Sequence, residues 1–202
     1  MILAWLALLA IALSTSTAGA VELTWKGSPR PQPFQAWADA ARVPTYPGKV
    51  RLYTDGSRCG RKIEPRGCAL WNPLGIVLIR HGINRRTMLH ELGHIFDFVV
   101  MGDGKIKNGR LRNPRSLARM TPARRMYARY IDEEGSWARG SHPIRERFAD
   151  SYRDCALNPR KLVGPPPPGY DAGGVRHRAI CNLIRREYLA DFPQPQVPDA
   201  PR

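Results

Sequence analysis

The stretch Arg85-Arg86-Thr87-Met88-Leu89-His90-Glu91-Leu92-Gly93-His94-Ile95-Phe96-Asp97-Phe98-Val99-Val100-Met101 decides how this chain is read. Met88, Leu89, Leu92, Ile95, Phe96 and Val99 recur at helical spacing, which predicts one amphipathic helix over 85–101. Asn84 stands where a helix N-cap is expected, and Gly102 and Gly104 end the pattern. Inside the helix lies His-Glu-Leu-Gly-His at 90–94, a match to the His-Glu-x-x-His pattern. Residues four apart on a helix share a face, with Cβ atoms about 5–6 Å apart. Two imidazoles so placed can converge on one zinc ion at about 2.0–2.1 Å each. Glu91 sits one step round the helix, beside the metal position, where it can accept a proton from an activated water. Gly93 in mid-helix costs about 1 kcal/mol relative to alanine, which suggests close packing at this point.

Outward from this helix, the chain alternates short strands and helices before becoming mainly helical. Strands are expected at 21–25, 50–54 and 75–80, and a helix at 33–42. The 59–68 segment between two cysteines reads as a loop, and 103–113 as another. Thr121-Pro122 is a cap followed by proline at the first helical position, opening a basic helix to 131. Loop 132–140 leads to a helix ending near Leu157, before Asn158-Pro159. Residues 165–168 form a stiff proline spacer, and a last helix covers 175–189. The proline-rich tail 193–202 is expected to be disordered. The fold class expected is α+β: a small mixed sheet packed on the His-Glu-x-x-His helix, with a helical C-terminal part and one domain over 21–192.

A hydrolytic zinc site takes three protein ligands and leaves one position open. An extension of the first motif with Gly at 97 and His or Asp at 100 is excluded, because Asp97 and Val100 stand there. A second helix carries Glu146-Arg147-Phe148-Ala149-Asp150. Glu146 and Asp150 are four apart and share a face, and Ala149 beside them is small enough for the two helices to approach closely. The competing reading is an acidic pair bonded to Arg147 or Arg153. Together the strings His90-Glu91-Leu92-Gly93-His94-Ile95-Phe96-Asp97 and Glu146-Arg147-Phe148-Ala149-Asp150 resemble the gluzincin metallopeptidases. They are similar to the lethal-factor-type catalytic domain and to small exported bacterial and phage proteins with the same two strings. The resemblance covers two short helices. It implies a zincin-like fold, one Zn2+ per chain held by His90, His94 and Glu146, Glu91 as general base, and Asp150 orienting a ligand histidine. Strand 75–80 is then the sheet edge on which an extended peptide lies. Tyr152 and His142 are the candidates for steadying the oxyanion. Asp97 pairs with an arginine or helps orient the site. His81 and His177 have no partners at ligand spacing and are read as structural.

The first twenty residues carry no charge, and an apolar run ends in Ala18-Gly19-Ala20. That is the pattern of a secretory signal peptide over 1–20, and its apolar run, Met1 to Leu13, is shorter than the roughly 18–20 residues a spanning helix needs. No basic residue precedes the run, so an uncleaved N-terminal anchor stands as the alternative. Four cysteines in an exported chain read as two disulfides, and of three connectivities Cys59–Cys68 with Cys155–Cys181 is favoured. A secreted or cell-envelope location follows, without stable membrane insertion after cleavage. The net charge is +15, and only six of the 32 basic residues are lysines. A basic surface can recruit an anionic partner such as a cell-envelope polymer; a GC-rich genome also favours arginine with no partner involved. The arginines are scattered and no nucleic-acid motif is present, so no specific nucleic-acid partner is expected. Three functions remain: a secreted zinc metallopeptidase, a non-catalytic protein binding an anionic envelope polymer with a structural zinc, and a zinc hydrolase acting on a non-peptide amide.

Overall fold

A computed structural model describes residues 21–26, 33–59, 66–79, 83–131, 142–160 and 175–193. The expected signal segment, loop 132–140, the proline spacer, His81 and nearly all of the 193–202 tail lie outside these residues. The described elements run in order β1 (Glu22–Trp25), α1 (Phe34–Asp39), β2 (Lys49–Tyr53), β3 (Gly67–Trp71), β4 (Leu74–Leu78), α2 (Arg85–Phe96), β5 (Ile106–Lys107), β6 (Arg110–Leu111), α3 (Pro122–Tyr130), α4 (His142–Leu157) and α5 (Val175–Asp191). This is an α+β fold with a small mixed sheet, as expected.

The four-stranded sheet has the order β1-β2-β4-β3. β1 pairs parallel to β2, and β2 parallel to β4. β3 runs antiparallel to β4, joined to it by a tight turn in which the Asn72–Pro73 peptide is cis. All five residues of β4 are buried, which its unbroken apolar run Leu-Gly-Ile-Val-Leu permits. This corrects the expected place of that strand. It is central rather than peripheral, and the edge beside α2 is β3, whose first two residues fall in the segment read from the sequence as loop. Likewise 103–113 contains the small β5–β6 hairpin, with Asn108 and Gly109 at positive φ in its turn.

α2 packs beneath the sheet with Met88, Leu89, Leu92, Ile95 and Phe96 all buried. Its N-terminus is capped as expected: the Asn84 side chain accepts from the Thr87 N–H at 2.9 Å. The helix continues as a wider π-helical turn over Asp97–Met101. α4 lies against α2 across a seam at Gly93. A Cβ at Gly93 would come within 2.9 Å of the Ala149 Cα and 3.0 Å of the Tyr152 Cβ. Glycine here and alanine opposite are therefore what let the two helix backbones meet. The core continues through Phe96, Tyr127, Phe148, Tyr152 and the inner faces of α3 and α5.

Both expected disulfides are present. Cys59–Cys68 ties the turn after β2 to β3, and Cys155–Cys181 ties α4 to α5. Among the described residues no helix is long and apolar enough to cross a membrane.

Candidate metal centre

The seam between α2 and α4 brings His90, His94 and Glu146 together. One donor atom from each lies within 4.8 Å of the other two. His90 Nε2 is 3.0 Å from Glu146 Oε2, and His94 Nε2 is 3.2 Å from Glu146 Oε1. His90 Nδ1 contacts Asp150 Oδ1 at 2.9 Å. Asp150 also accepts from Arg153, whose Nε donates to Asp154. The two readings of Glu146 and Asp150 thus meet in one place: Asp150 is both an arginine partner and the group that fixes the His90 ring. His94 is buried, while His90 and Glu146 are partly exposed, so the cluster faces solvent.

The chemistry of this donor set fits a cation. If His90 carries its proton on Nδ1, toward Asp150, the lone pair of Nε2 faces a carboxylate oxygen. Two acceptors at 3.0 Å need a positive charge between or upon them. Without metal, a second proton on His90 meets that need. Burial opposes the charge on His90, but hydrogen bonds to Asp150 and Glu146 outweigh it and raise its pKa from 6.5 to about 9. Glu146 shows the reciprocal effect. Burial works against its charge, yet His90 and His94 hold its carboxyl well below the ordinary carboxylate range. Burial also opposes the charge on Asp150, and the hydrogen bond to His90 and the charge of Arg153 again prevail. A divalent metal would replace the extra proton and use the same three donors.

Glu91 is buried on the same helix, and burial pushes its carboxyl up against the lowering pull of His94 and His90. It sits against the edge strand: a Cβ at Gly67 would be 3.1 Å from Glu91 Oε1 and 2.7 Å from the Val77 carbonyl. The missing side chain at Gly67 leaves room for that carboxylate. Neither helical period nor motif could have shown this, since the strand itself was not legible.

Other expected site residues lie elsewhere. Tyr152 is fully buried, tilted on Phe96, and its hydroxyl donates to the Pro44 carbonyl at 2.9 Å. That bond and its burial remove it as an oxyanion donor. His142 opens α4, but its side chain is not among those described. Asp97 is fully buried, and Arg124 Nε and Nη2 grip its two oxygens at 2.8 and 2.9 Å. Arg124 also donates to the carbonyls of Ser116 and Arg119. Of the two roles expected for Asp97, the structure gives it the arginine partner, which anchors the π-helical turn on α3. His177 is not the isolated histidine expected from spacing. It lies beside Cys181, and with Cys155 the three could hold a metal. In this structure the two sulfurs are bonded to each other, and His177 Nε2 lies 2.8 Å from the Asn158 carbonyl. Sequence reasoning also missed an aromatic wall: Phe98 stacks on His94, and Trp71 of β3 meets Phe98 edge-on and is 39% exposed.

No known family model matches the chain, and no curated protein or solved structure matches it significantly.

Proposed function

We propose that this protein is a zinc-dependent hydrolase acting on peptide bonds, exported from the cytoplasm, with gluzincin-type organisation. The observation that carries the reading is the convergence of His90, His94 and Glu146 from two helices, with Glu91 beside them and Asp150 on His90. Two imidazoles and a carboxylate suit zinc, and three protein ligands leave a position for reacting groups. When bound there, zinc supplies a Lewis acid for the scissile carbonyl and acidifies a water molecule to a pKa of about 7.

The protein's own groups divide the remaining work. His90 and His94 would hold the metal, with Asp150 fixing the ring of His90. Glu146 completes the set and neutralises part of its charge. Glu91, whose pKa burial raises, accepts the proton of the attacking water and passes it to the leaving amine. The β3 edge beside Glu91 offers backbone groups to an extended peptide, and the exposed Trp71, backed edge-on by the buried Phe98, an apolar surface for a side chain. The two disulfides are compatible with an extracytoplasmic location.

Glu91→Gln and His94→Ala separate catalysis from metal holding. Zinc content and cleavage of a broad peptide library are measured on wild type and both variants. Glu91→Gln should keep zinc and lose about 10²–10⁴-fold in turnover, whereas His94→Ala should lose zinc and turnover together. Unchanged cleavage by Glu91→Gln would sink the mechanism. A wild type that binds zinc and cleaves nothing would favour a structural zinc.

A further inference from the structure

A second feature lies at the far end of α4. Asn158 follows Glu146 by twelve residues, so the two are separated by about 18 Å along the helix axis. Around Asn158 opens a polar pocket of about 700 Å³, lined by Arg42, Asn158, Pro159, Arg160, Arg178, Asn182 and Arg185. Arg178, Asn182 and Arg185 form one stripe of α5, at helical spacing. Arg42 enters from the turn after α1, and Arg160 from the turn after α4. Arg185 donates to the Arg42 carbonyl at 3.1 Å, which braces two of these segments against each other.

The charge arrangement is one-sided. Among the described residues, four arginines line the pocket and no carboxylate does. Among the described residues none of the four is within ion-pair distance of an acid, although Arg119, Arg124, Arg153 and Arg186 all are. A cation near the C-terminal end of α4, such as Arg160, is favoured by the helix dipole. Arg178 is not explained that way: it lies in the first turn of α5, at the positive end of that helix, where a cation is disfavoured. An anion in the pocket reverses both penalties, the mutual repulsion of the arginines and the position of Arg178.

We propose that this pocket binds an anion bearing two or more phosphate groups, held by Arg42, Arg160, Arg178 and Arg185. Guanidinium forks match phosphate oxygens bidentately, and four guanidiniums carry more positive charge than one phosphate, at about −2, neutralises. The Asn158 and Asn182 side chains add neutral hydrogen-bonding groups. Among the described residues the lining contains no aromatic side chain on which a base could stack, which argues against single-stranded nucleic acid. The site is separate from the metal centre and does not depend on the hydrolase reading.

The test uses the full protein, stripped of metal by a chelator and dialysed, so that phosphate capture of a bound metal does not register. Inorganic tripolyphosphate is titrated calorimetrically against wild type, Arg160→Gln/Arg178→Gln, and a control variant Arg110→Gln/Arg115→Gln. The control removes the same charge from exposed positions on β6 and the turn after it. Tripolyphosphate should bind wild type and the control alike, and the pocket variant at least about tenfold more weakly. Thermal unfolding of each variant verifies that it is folded. Poly(glycerol phosphate) retaining the wild-type affinity would place the phosphates on a polymer. Its failure beside tripolyphosphate binding would place them on a free oligophosphate; either outcome supports the site. Equal weakening in pocket and control variants, or no binding to wild type, would overturn it. So would equal affinity for citrate, or tighter binding of a single-stranded oligonucleotide than of tripolyphosphate.

Discussion

Gly93→Ala tests whether the α2–α4 seam sets the metal geometry. The new Cβ would lie 2.9 Å from the Ala149 Cα, 3.0 Å from the Tyr152 Cβ and 3.1 Å from the Ala149 carbonyl oxygen. Two of those atoms are backbone and the third is the root of a fully buried side chain, so no rotamer change relieves the contact. The helices must separate by about half an ångström to reach ordinary van der Waals distance. Overpacking of this kind costs about 1–3 kcal/mol, and alanine returns about 1 kcal/mol in helix preference. The net loss is about 0–2 kcal/mol, a fall in Tm of roughly 2–4 °C for each kcal/mol in a chain of this size. The effect on metal should be larger than the effect on stability. His90 and His94 stand on one side of the seam and Glu146 on the other, and zinc–ligand distances tolerate only about 0.2 Å. Zinc affinity, measured by competition with a chromogenic chelator, should drop at least about tenfold. Unfolding of both metal-free proteins gives the stability term separately. A variant with unchanged Tm and unchanged zinc affinity would refute the close-approach argument. Lost stability with unchanged affinity would refute the link between seam and metal.

Three further outcomes are expected. Zinc binding at pH 7 should release at least one proton, because His90 with a pKa of about 9 is protonated in the metal-free protein; calorimetry in buffers of different ionisation enthalpy reads it. The sign follows from the raised pKa: apparent zinc affinity rises with pH up to about 9, while the stability His90 lends the metal-free fold, full below 6.5, is lost over the same rise. Affinity that does not change between pH 6 and 8 would contradict it. Asp150→Asn should weaken zinc binding by about 10–100-fold while leaving the three ligands in place, and an unchanged dissociation constant would remove Asp150 from the site. Asp97→Ala strands the buried guanidinium of Arg124 and should cost about 3–5 kcal/mol in denaturant unfolding; a loss below about 1 kcal/mol would show that other groups satisfy Arg124.

What the sequence made legible was local. The 3.6-residue period of Met88, Leu89, Leu92, Ile95 and Phe96 gave α2, and Asn84, Pro122 and Asn158-Pro159 marked helix ends within a residue or two. β3 was hidden because Cys68-Ala69-Leu70-Trp71, though apolar, is short, has no β-branched residue and begins inside a segment bounded by two cysteines. It becomes a strand through its ladder to β4, which is a property of the partner. The same limit hid Gly67 beside Glu91. The Asp97–Arg124 pair joins residues far apart in the chain, and many arginines were equally eligible. Tyr152 looked like a site residue because it follows the Glu146 string, but it stands two residues beyond Asp150, about 200° round α4, on the core face with Phe148.

The position of Glu146 shows how far local reasoning carries. Ile144, Phe148, Tyr152 and Cys155 are buried at helical spacing and define the inner face of α4. Glu146 and Asp150 form an adjacent stripe, which the sequence establishes, but that stripe could as well have faced solvent. What turns it toward α2 is the contact of Ala149 with Gly93, one residue before His94. Small residues on both helices allow a backbone approach that larger side chains would prevent, and the approach occurs beside the proposed metal ligands on both. The glycine inside His-Glu-Leu-Gly-His and the alanine inside Glu-Arg-Phe-Ala-Asp are thus part of the candidate site: they set its width, and His90, His94 and Glu146 only span what the backbones leave.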